Sequence, residues 1–351
     1  MLVILETIAV SLLGGALFYL LKFPLPWMFG AAMACLVWKY ALKRKAGFPL
    51  YLRDAGLVVF GYMLGVSFTA EAAHEVALNF PGMLFSTLLL FFCTVGLAFV
   101  SRRFLGIKLK SALVAHTPGA FSQMVILGEE ITGVEAAPVA AMQSIRLLAT
   151  AFLVPFIVVN VMIKGPVDTN LVKTGLEFDW EHYKFLPLYV LAVAGVIRLF
   201  LRVRFPSAFL SGAIFGAAAL SCLGLNGPAV PGPLTMLAQM SIGVYLAQIL
   251  DMEKVDNWPR LLTMAVLGNI LLIGATLGVG WILTRVYDMT LVDAFLAAAP
   301  GGMAEMGITA IMVEAKVSLV ASYQLFRVFF VIFAVIPFFK WLFRKKGFKE
   351  P

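Results

Sequence analysis

Long apolar runs separated by short polar breaks fill most of this chain. A helix of about 20 apolar residues is enough to cross the hydrocarbon core of a bilayer, and runs approaching that length recur from one end of the sequence to the other. The predicted spans lie near residues 2–22, 26–42, 50–69, 80–100, 136–162, 185–203, 206–223, 231–250, 258–284 and 317–343. The pattern therefore predicts an all-α, multi-pass membrane protein with about ten transmembrane helices.

Two further apolar segments, 111–128 and 292–312, are interrupted near their middle by Pro-Gly. Proline removes a backbone donor and glycine permits tight turns, so each pair should break its helix. The freed backbone groups cannot be satisfied by lipid and have to face protein or water. We predict that both segments are broken or re-entrant helices.

The two halves of the chain repeat four short motifs, Phe-Pro, Gly-Ala, Pro-Gly and Gln-x-x-Arg. The first three keep one offset, and a single residue is dropped before the fourth. The pairs are Phe23-Pro24 with Phe205-Pro206, Gly30-Ala31 with Gly212-Ala213, Pro118-Gly119 with Pro300-Gly301, and Gln143 and Arg146 with Gln324 and Arg327. Such agreement predicts a first membrane repeat over 1–163, a polar linker over 164–184 and a second membrane repeat over 185–351.

Basic residues form short clusters beside apolar runs, at 43–45, 102–103, 198–204 and 344–346. Clusters of this kind mark cytoplasmic loops. If both Pro-Gly segments re-enter, all four clusters lie in the cytoplasm, whereas the acidic loop 71–75 and the linker lie outside. The halves are then inverted repeats, an arrangement that recurs in secondary transporters. If both segments cross fully, the halves run the same way and one basic cluster lies outside, so charge favours inverted repeats.

Composition and motifs argue against several function classes. The chain is 62% hydrophobic, against about 45 to 50% in a soluble domain, and its net charge of +8 lies in loop clusters that do not suggest nucleic-acid binding. Three histidines and three cysteines are scattered without metal-ligand spacing, and neither a Walker A sequence nor a Gly-x-Ser-x-Gly elbow occurs. We expect no metal, no cofactor and no enzyme activity.

The residues around the two breaks are candidate substrate ligands, because a helix N-terminus presents free N–H groups and about half a positive charge. One Pro-Gly alone is more simply a kink that lets helices pack, whereas two at matching positions favour a binding site. The candidates are Thr117, Pro118, Gly119 and Gln123 in the first repeat, Pro300, Gly301, Gly302 and Glu305 in the second, and Arg146 and Arg327.

The charged candidates leave different alternatives open. Glu305 is a carboxylate within apolar sequence and is the predicted coupling-ion ligand, whereas its repeat partner Gln123 cannot titrate. Arg146 and Arg327 either join a salt bridge or cap a helix end, or they recognise a carboxylate or phosphate through the guanidinium fork. His116 is more simply a packed or hydrogen-bonded histidine.

Several of these motifs occur in order and in duplicate over nearly the whole chain: the F-P…G-A start, the (T/A)-P-G-(A/G) segment with a following Q-M or E-M, and the late Q-x-x-R. They resemble the membrane AbrB family, whose members have also been called ammonia monooxygenases or regulators of aidB expression. The resemblance implies a duplicated membrane domain and a transporter-like fold near the cation:proton antiporter and anion transporter superfamily. The first repeat departs from the usual Pro-Gly-Gly…Glu pattern at Ala120 and Gln123, which argues against equal binding roles for the two copies.

The leading functional hypothesis is a secondary transporter of a small, anionic metabolite, driven by a proton or sodium gradient. The alternative is a membrane regulatory or sensor protein that keeps a transporter-like fold and binds a ligand without moving it. The expected location is the bacterial inner membrane. The expected partners are the anionic substrate, a proton or sodium ion, the lipid bilayer and, in a homodimer, a second copy of the chain; nucleic acid is not expected.

Overall fold

The computed structural model describes residues 2–44, 47–119, 121–131, 133–163, 183–250 and 258–344. All regular structure in these ranges is helical. The helices are α1 Leu2–Leu20, α2 Pro26–Tyr40, α3 Leu50–Gly65, α4 Ala70–Leu78, α5 Phe80–Leu105, α6 Leu109–His116, α7 Phe121–Glu130, α8 Ala136–Ile157, α9 Leu186–Arg202, α10 Ala208–Ser221, α11 Gly232–Ile249, α12 Trp258–Val286, α13 Leu291–Ala298, α14 Met303–Met312, α15 Val317–Phe330 and α16 Ile336–Arg344. One π-helical turn, Val158–Met162, continues α8, and another, Val331–Val335, joins α15 to α16.

Every predicted span contains a helix, but the helices differ in length. In the described part of the chain, five helical stretches are long and apolar enough to cross a membrane, which indicates a membrane protein, and the bent pair α3 and α4 would make a sixth. The five are Val3–Leu20, Phe80–Leu105, Ala136–Met162, Trp258–Val286 and Val317–Arg344. The other predicted spans are helices of 14 to 18 residues, about 21 to 27 Å long against a hydrocarbon core of about 30 Å.

The acidic stretch 71–75 was expected to be a loop, and this expectation is wrong. It forms helix α4, which is bent by 89° from α3. The Ala72 N–H donates to Thr69 Oγ1 at 3.2 Å, as at a helix N-cap. Glu71 lies in the first turn, where a negative charge complements the helix dipole.

One compact unit comprises Met1–Leu78, Pro155–Ile249 and Ala304–Ala321, so it draws on both sequence repeats. Within it, α1 packs on α2 and α9 packs on α10. Helices of the two repeats also pack on each other, α2 on α11 and α10 on α3. The second helix of each repeat thus lies against the third helix of the other.

The Gly-Ala motif has a physical reason in this unit. A Cβ atom on Gly30 would lie 2.2 Å from the carbonyl oxygen of Gly14, and a Cβ atom on Gly212 would lie 2.9 Å from Cα of Ile197. Both distances are far too short for a real side chain. Glycine therefore lets the first two helices of each repeat approach closely, as small residues do between membrane helices.

The backbone repeats along with the sequence, at residues whose φ is positive. The matched pairs are Lys22 (φ 53°) with Arg204 (φ 52°), Leu25 (φ 49°) with Ser207 (φ 48°), and Gly133 (φ 88°) with Glu314 (φ 53°). Such a backbone costs a non-glycine residue roughly 1 to 2 kcal/mol, so it is seldom shared by accident. The first two pairs keep the offset of the Pro-Gly motifs and the third keeps that of the Gln-x-x-Arg motifs, which supports an internal duplication.

The other compact unit comprises Asn79–Val154, Leu250–Met303 and Ser322–Pro351. In it α5 packs on α6 and on α12, and α12 packs on α13. Both Pro-Gly breaks belong to this unit. The predicted linker 164–184 falls almost entirely outside the described residues, and the division of the sequence into 1–163 and 185–351 stays a prediction.

Candidate functional site

The first predicted break is present between α6, which ends at His116, and α7, which begins at Phe121. Thr117 is extended, and Gly119 has φ +91°, a left-handed conformation that glycine adopts without a steric cost. The chain therefore cannot continue as one helix. The last carbonyl groups of α6 consequently lack partners inside the helix.

A glutamine and an arginine on α8 satisfy these carbonyl groups. Gln143 Nε2 donates to the carbonyl oxygens of Val114 at 2.9 Å and Thr117 at 3.0 Å. Arg146 Nη1 donates to the carbonyl oxygens of Thr117 at 3.0 Å and His116 at 3.3 Å, and its Nη2 donates to Gln143 Oε1 at 2.5 Å. The Gln-x-x-Arg motif thus caps the end of the first half-helix.

The second repeat uses the same arrangement at the end of α13. Gln324 Nε2 donates to the carbonyl oxygen of Leu296 at 2.8 Å. Arg327 Nη1 donates to the carbonyl oxygen of Ala298 at 3.0 Å, while its Nη2 donates to the carbonyl oxygen of Gly301 at 3.5 Å and to Gln324 Oε1. The helix-cap alternative left open by the sequence is therefore present in both repeats.

Capping does not use every donor of the two arginines. Arg146 and Arg327 are 7% and 3% exposed, and the Nε atom of each is buried without a hydrogen-bond partner. Among the described residues, neither guanidinium group forms an ion pair. A buried donor without an acceptor costs about 1 to 3 kcal/mol. Each repeat therefore holds one buried positive charge and one unused N–H group.

The two breaks meet at Arg327. A Cβ atom on Gly119 would lie 3.8 Å from Cγ of Arg327, so the stem of the arginine that caps the second break lies against the first. Each break thus has one buried guanidinium group at its capped end. The carbonyl ends of α6 and α13 offset part of this charge, whereas the following half-helices begin with free N–H groups, which favour anions.

His116 lies beside the first cap and is buried. Its Nε2 is 2.6 Å from Ser101 Oγ on α5, so it is a hydrogen-bonded histidine, as the sequence favoured. His116, Arg146 and Asn269 line a cavity of about 10 Å³, which is close to the smallest space that holds one water molecule. The sequence gives little sign of this grouping, because Ser101 and Asn269 stand far from the break along the chain.

The repeat partners Glu305 and Gln123 differ in burial as well as in chemistry. Glu305 lies in the first turn of α14 and is 5% exposed, whereas Gln123 is exposed on α7. A buried carboxylate at a helix N-terminus is stabilised by the free N–H groups there. The two copies therefore differ in burial at this position, and unequal roles for them stay a prediction.

Comparison with known proteins identifies the family. A family model described as "Transition state regulatory protein AbrB" matches residues 27–343. This chain belongs to the AbrB family. "Uncharacterized protein YhjN" of Bacillus subtilis (strain 168) is 24% identical over 98% of this chain and 94% of its own length. "Putative regulator AbrB" of Escherichia coli (strain K12) is 24% identical over 79% of each chain.

In this AbrB-family protein the remaining candidate ligands occupy different environments. Pro118, Pro300 and Gly301 are buried, and Gly119 and Gly302 are half-buried. The hydroxyl group of Thr117 donates to the carbonyl oxygen of Leu113 at 2.8 Å. That these residues bind a substrate stays a prediction. Sequence reasoning did not include Gln143 and Gln324 among the site residues, although their spacing of three from an arginine was the signal.

Proposed function

We propose that this AbrB-family protein is a secondary transporter of a small anionic metabolite, in the inner membrane of a bacterium. The supporting observation is the pair of buried arginines, each with an unused Nε–H group, where the two breaks meet. A carboxylate or phosphate would supply the missing acceptors and neutralise buried charge. Broken helices around a central site are a recurrent feature of secondary transporters.

We also propose that Glu305 carries the coupling ion. The carboxylate is buried, and it has no titratable counterpart in the first repeat. A buried carboxylate can take up a proton or a sodium ion and release it when its surroundings change. A single coupling site is therefore expected, in the second repeat.

The proposed topology has about ten spans in two inverted repeats. It is supported by the reciprocal packing of α2 on α11 and α10 on α3, and by the distribution of basic clusters. We expect residues 164–184 to be periplasmic and both termini cytoplasmic. Fusions of alkaline phosphatase and of green fluorescent protein after residue 174 and after residue 351 test this. A fluorescent, phosphatase-negative fusion after residue 174 would remove the inverted-repeat arrangement.

A membrane regulator or sensor is the second candidate function, because the family is described as a regulatory protein and the relative from Escherichia coli as a putative regulator. Such a protein would bind its ligand at the same arginines without moving it. An enzyme is not proposed. The described residues contain no group of three or more His, Cys, Asp or Glu side chains that could hold a metal.

Uptake by proteoliposomes distinguishes the two functions. A panel of radiolabelled monocarboxylates, dicarboxylates and phosphate esters would be offered with and without an imposed proton or sodium gradient. We expect one class to accumulate only with a gradient, and Arg146→Lys to weaken its apparent affinity, because lysine loses the bidentate fork. Binding of the same compound without accumulation would support the sensor instead.

A further inference from the structure

The compact unit that contains α1–α4 holds a cavity of about 480 Å³ between α3, α9 and the segment before α11. Its lining is apolar and includes Val58, Val193 and Ala194. Tyr62, Tyr183 and Tyr189 also line it, and the hydroxyl groups of Tyr62 and Tyr189 are engaged elsewhere. Tyr62 Oη donates to the carbonyl oxygen of Pro228 at 2.7 Å, and Tyr189 Oη donates to that of Leu225 at 2.5 Å. The cavity therefore presents ring faces and aliphatic groups to whatever occupies it.

The cavity is a groove along α9. It follows this helix from Leu186 to Ile197, a rise of about 17 Å at 1.5 Å per residue. One leaflet of a bilayer contributes about 15 Å of hydrocarbon. The groove therefore has the length and polarity of one lipid acyl chain lying along the helix.

Positive charge is concentrated at one end of the groove. The last residue of α9 that lines the groove is Ile197. Three exposed arginines follow it along the chain, Arg198, Arg202 and Arg204. In the described part of the chain none of them forms an ion pair. Lys184 lies at the other end, with its ammonium group 5.2 Å from the centre of the Phe185 ring. The charge at the groove thus matches a lipid with an anionic headgroup at the arginine end.

We infer that the groove binds one acyl chain of an anionic phospholipid, whose phosphate contacts Arg198, Arg202 and Arg204. The three guanidinium groups supply charge-assisted hydrogen bonds to phosphate oxygens. Basic clusters beside membrane helices are known attractors of anionic headgroups. This lipid site is independent of the proposed transport function and would be occupied in a transporter or in a sensor.

The headgroup part is tested by native mass spectrometry of the full chain in detergent. Phosphatidylglycerol and phosphatidylcholine with identical acyl chains are compared, and we expect a clear preference for phosphatidylglycerol. Replacing the three arginines by glutamine should lower its affinity on the order of 100-fold at low salt, since each such charge is worth roughly fivefold. The control changes Lys22, Lys43 and Arg103 to glutamine and removes the same charge from other exposed positions. It should leave the affinity nearly unchanged.

The groove part is tested by filling it. Ala194 lines the cavity, so Ala194→Trp should displace the acyl chain and lower phosphatidylglycerol affinity at least tenfold. Gly195→Trp is the control, because no atom lies within 4 Å of a Cβ built on Gly195. Equal binding of the two lipids, or equal losses in the arginine and control variants, would overturn the inference. So would an Ala194→Trp variant that dissociates a dimer and keeps its lipid, because the groove would then be an interface between copies.

Discussion

Arg327→Ala is expected to lower the free energy of unfolding by about 3 to 5 kcal/mol, the largest loss at the breaks, because three buried acceptors lose a charged donor at roughly 1 to 3 kcal/mol each. The substitution leaves the carbonyl groups of Ala298 and Gly301 and the side-chain oxygen of Gln324 without this donor. It also removes the aliphatic stem that lies against Gly119. Because this one side chain contacts both breaks, its loss should loosen both half-helices together.

Arg146→Ala should cost less, about 2 to 3 kcal/mol. Arg146 caps only its own half-helix, where Gln143 still donates to the carbonyl of Thr117. Thermal unfolding in detergent would be followed by tryptophan fluorescence, with the exposed Arg103→Ala as a control expected to stay within about 0.5 kcal/mol. Arg327→Met keeps much of the side-chain volume but removes the hydrogen bonds, so comparing it with Arg327→Ala distinguishes the contribution of packing from that of hydrogen bonding. If the alanine and methionine variants both unfold at the wild-type temperature, the capping role assigned to Arg327 is wrong.

Glu305→Gln is expected to reduce gradient-driven uptake to the level of empty liposomes while leaving the protein folded. Glutamine keeps the size and the hydrogen-bonding ability of the side chain, but it can neither exchange a proton nor neutralise a sodium ion. Transport of the substrate down its own concentration gradient should be reduced less than uptake driven by the proton or sodium gradient. Proteoliposomes loaded with the pH-sensitive dye pyranine would report the proton, and a labelled substrate would report the flux.

The first repeat supplies the matched control for this experiment. Gln123 occupies the position equivalent to Glu305 but is exposed and cannot titrate, so Gln123→Leu should leave uptake dependent on the ion gradient, even where it weakens substrate affinity. Coupled, pH-dependent uptake by the Glu305→Gln variant would exclude this residue as the ion carrier. If both variants lose uptake but still bind substrate, the breaks are needed for movement and the coupling ion binds at another residue.

Helix positions and both breaks followed from the sequence, because apolar length and Pro-Gly pairs act locally. The bend at α4 was missed, since nothing in an acidic stretch distinguishes a solvated loop from a short helix capped by Thr69. The left-handed backbones at Leu25 and Ser207 also had no signal, because neither residue favours that conformation. The number of membrane spans is harder to predict, since helices such as α10 are shorter than the hydrocarbon core of a bilayer.

The candidate site was predicted as a set of residue types and positions, but not as a geometry. Gln143 and Arg146 bond to carbonyl groups up to 30 residues earlier in the chain, and backbone carbonyl groups leave no trace in a sequence. The sequence therefore could not separate a helix cap from a substrate ligand. The division into two compact units that each draw on both repeats could not be predicted either, because all the membrane helices have a similar apolar composition.

Each Gln-x-x-Arg motif caps the half-helix of its own repeat, from Gln143 to Thr117 in one case and from Gln324 to Leu296 in the other. The side chains that cap each broken helix therefore all come from the same half of the chain as that helix. Positions 123 and 305 take no part in either cap, so capping leaves them free to differ, with glutamine at one and glutamate at the other.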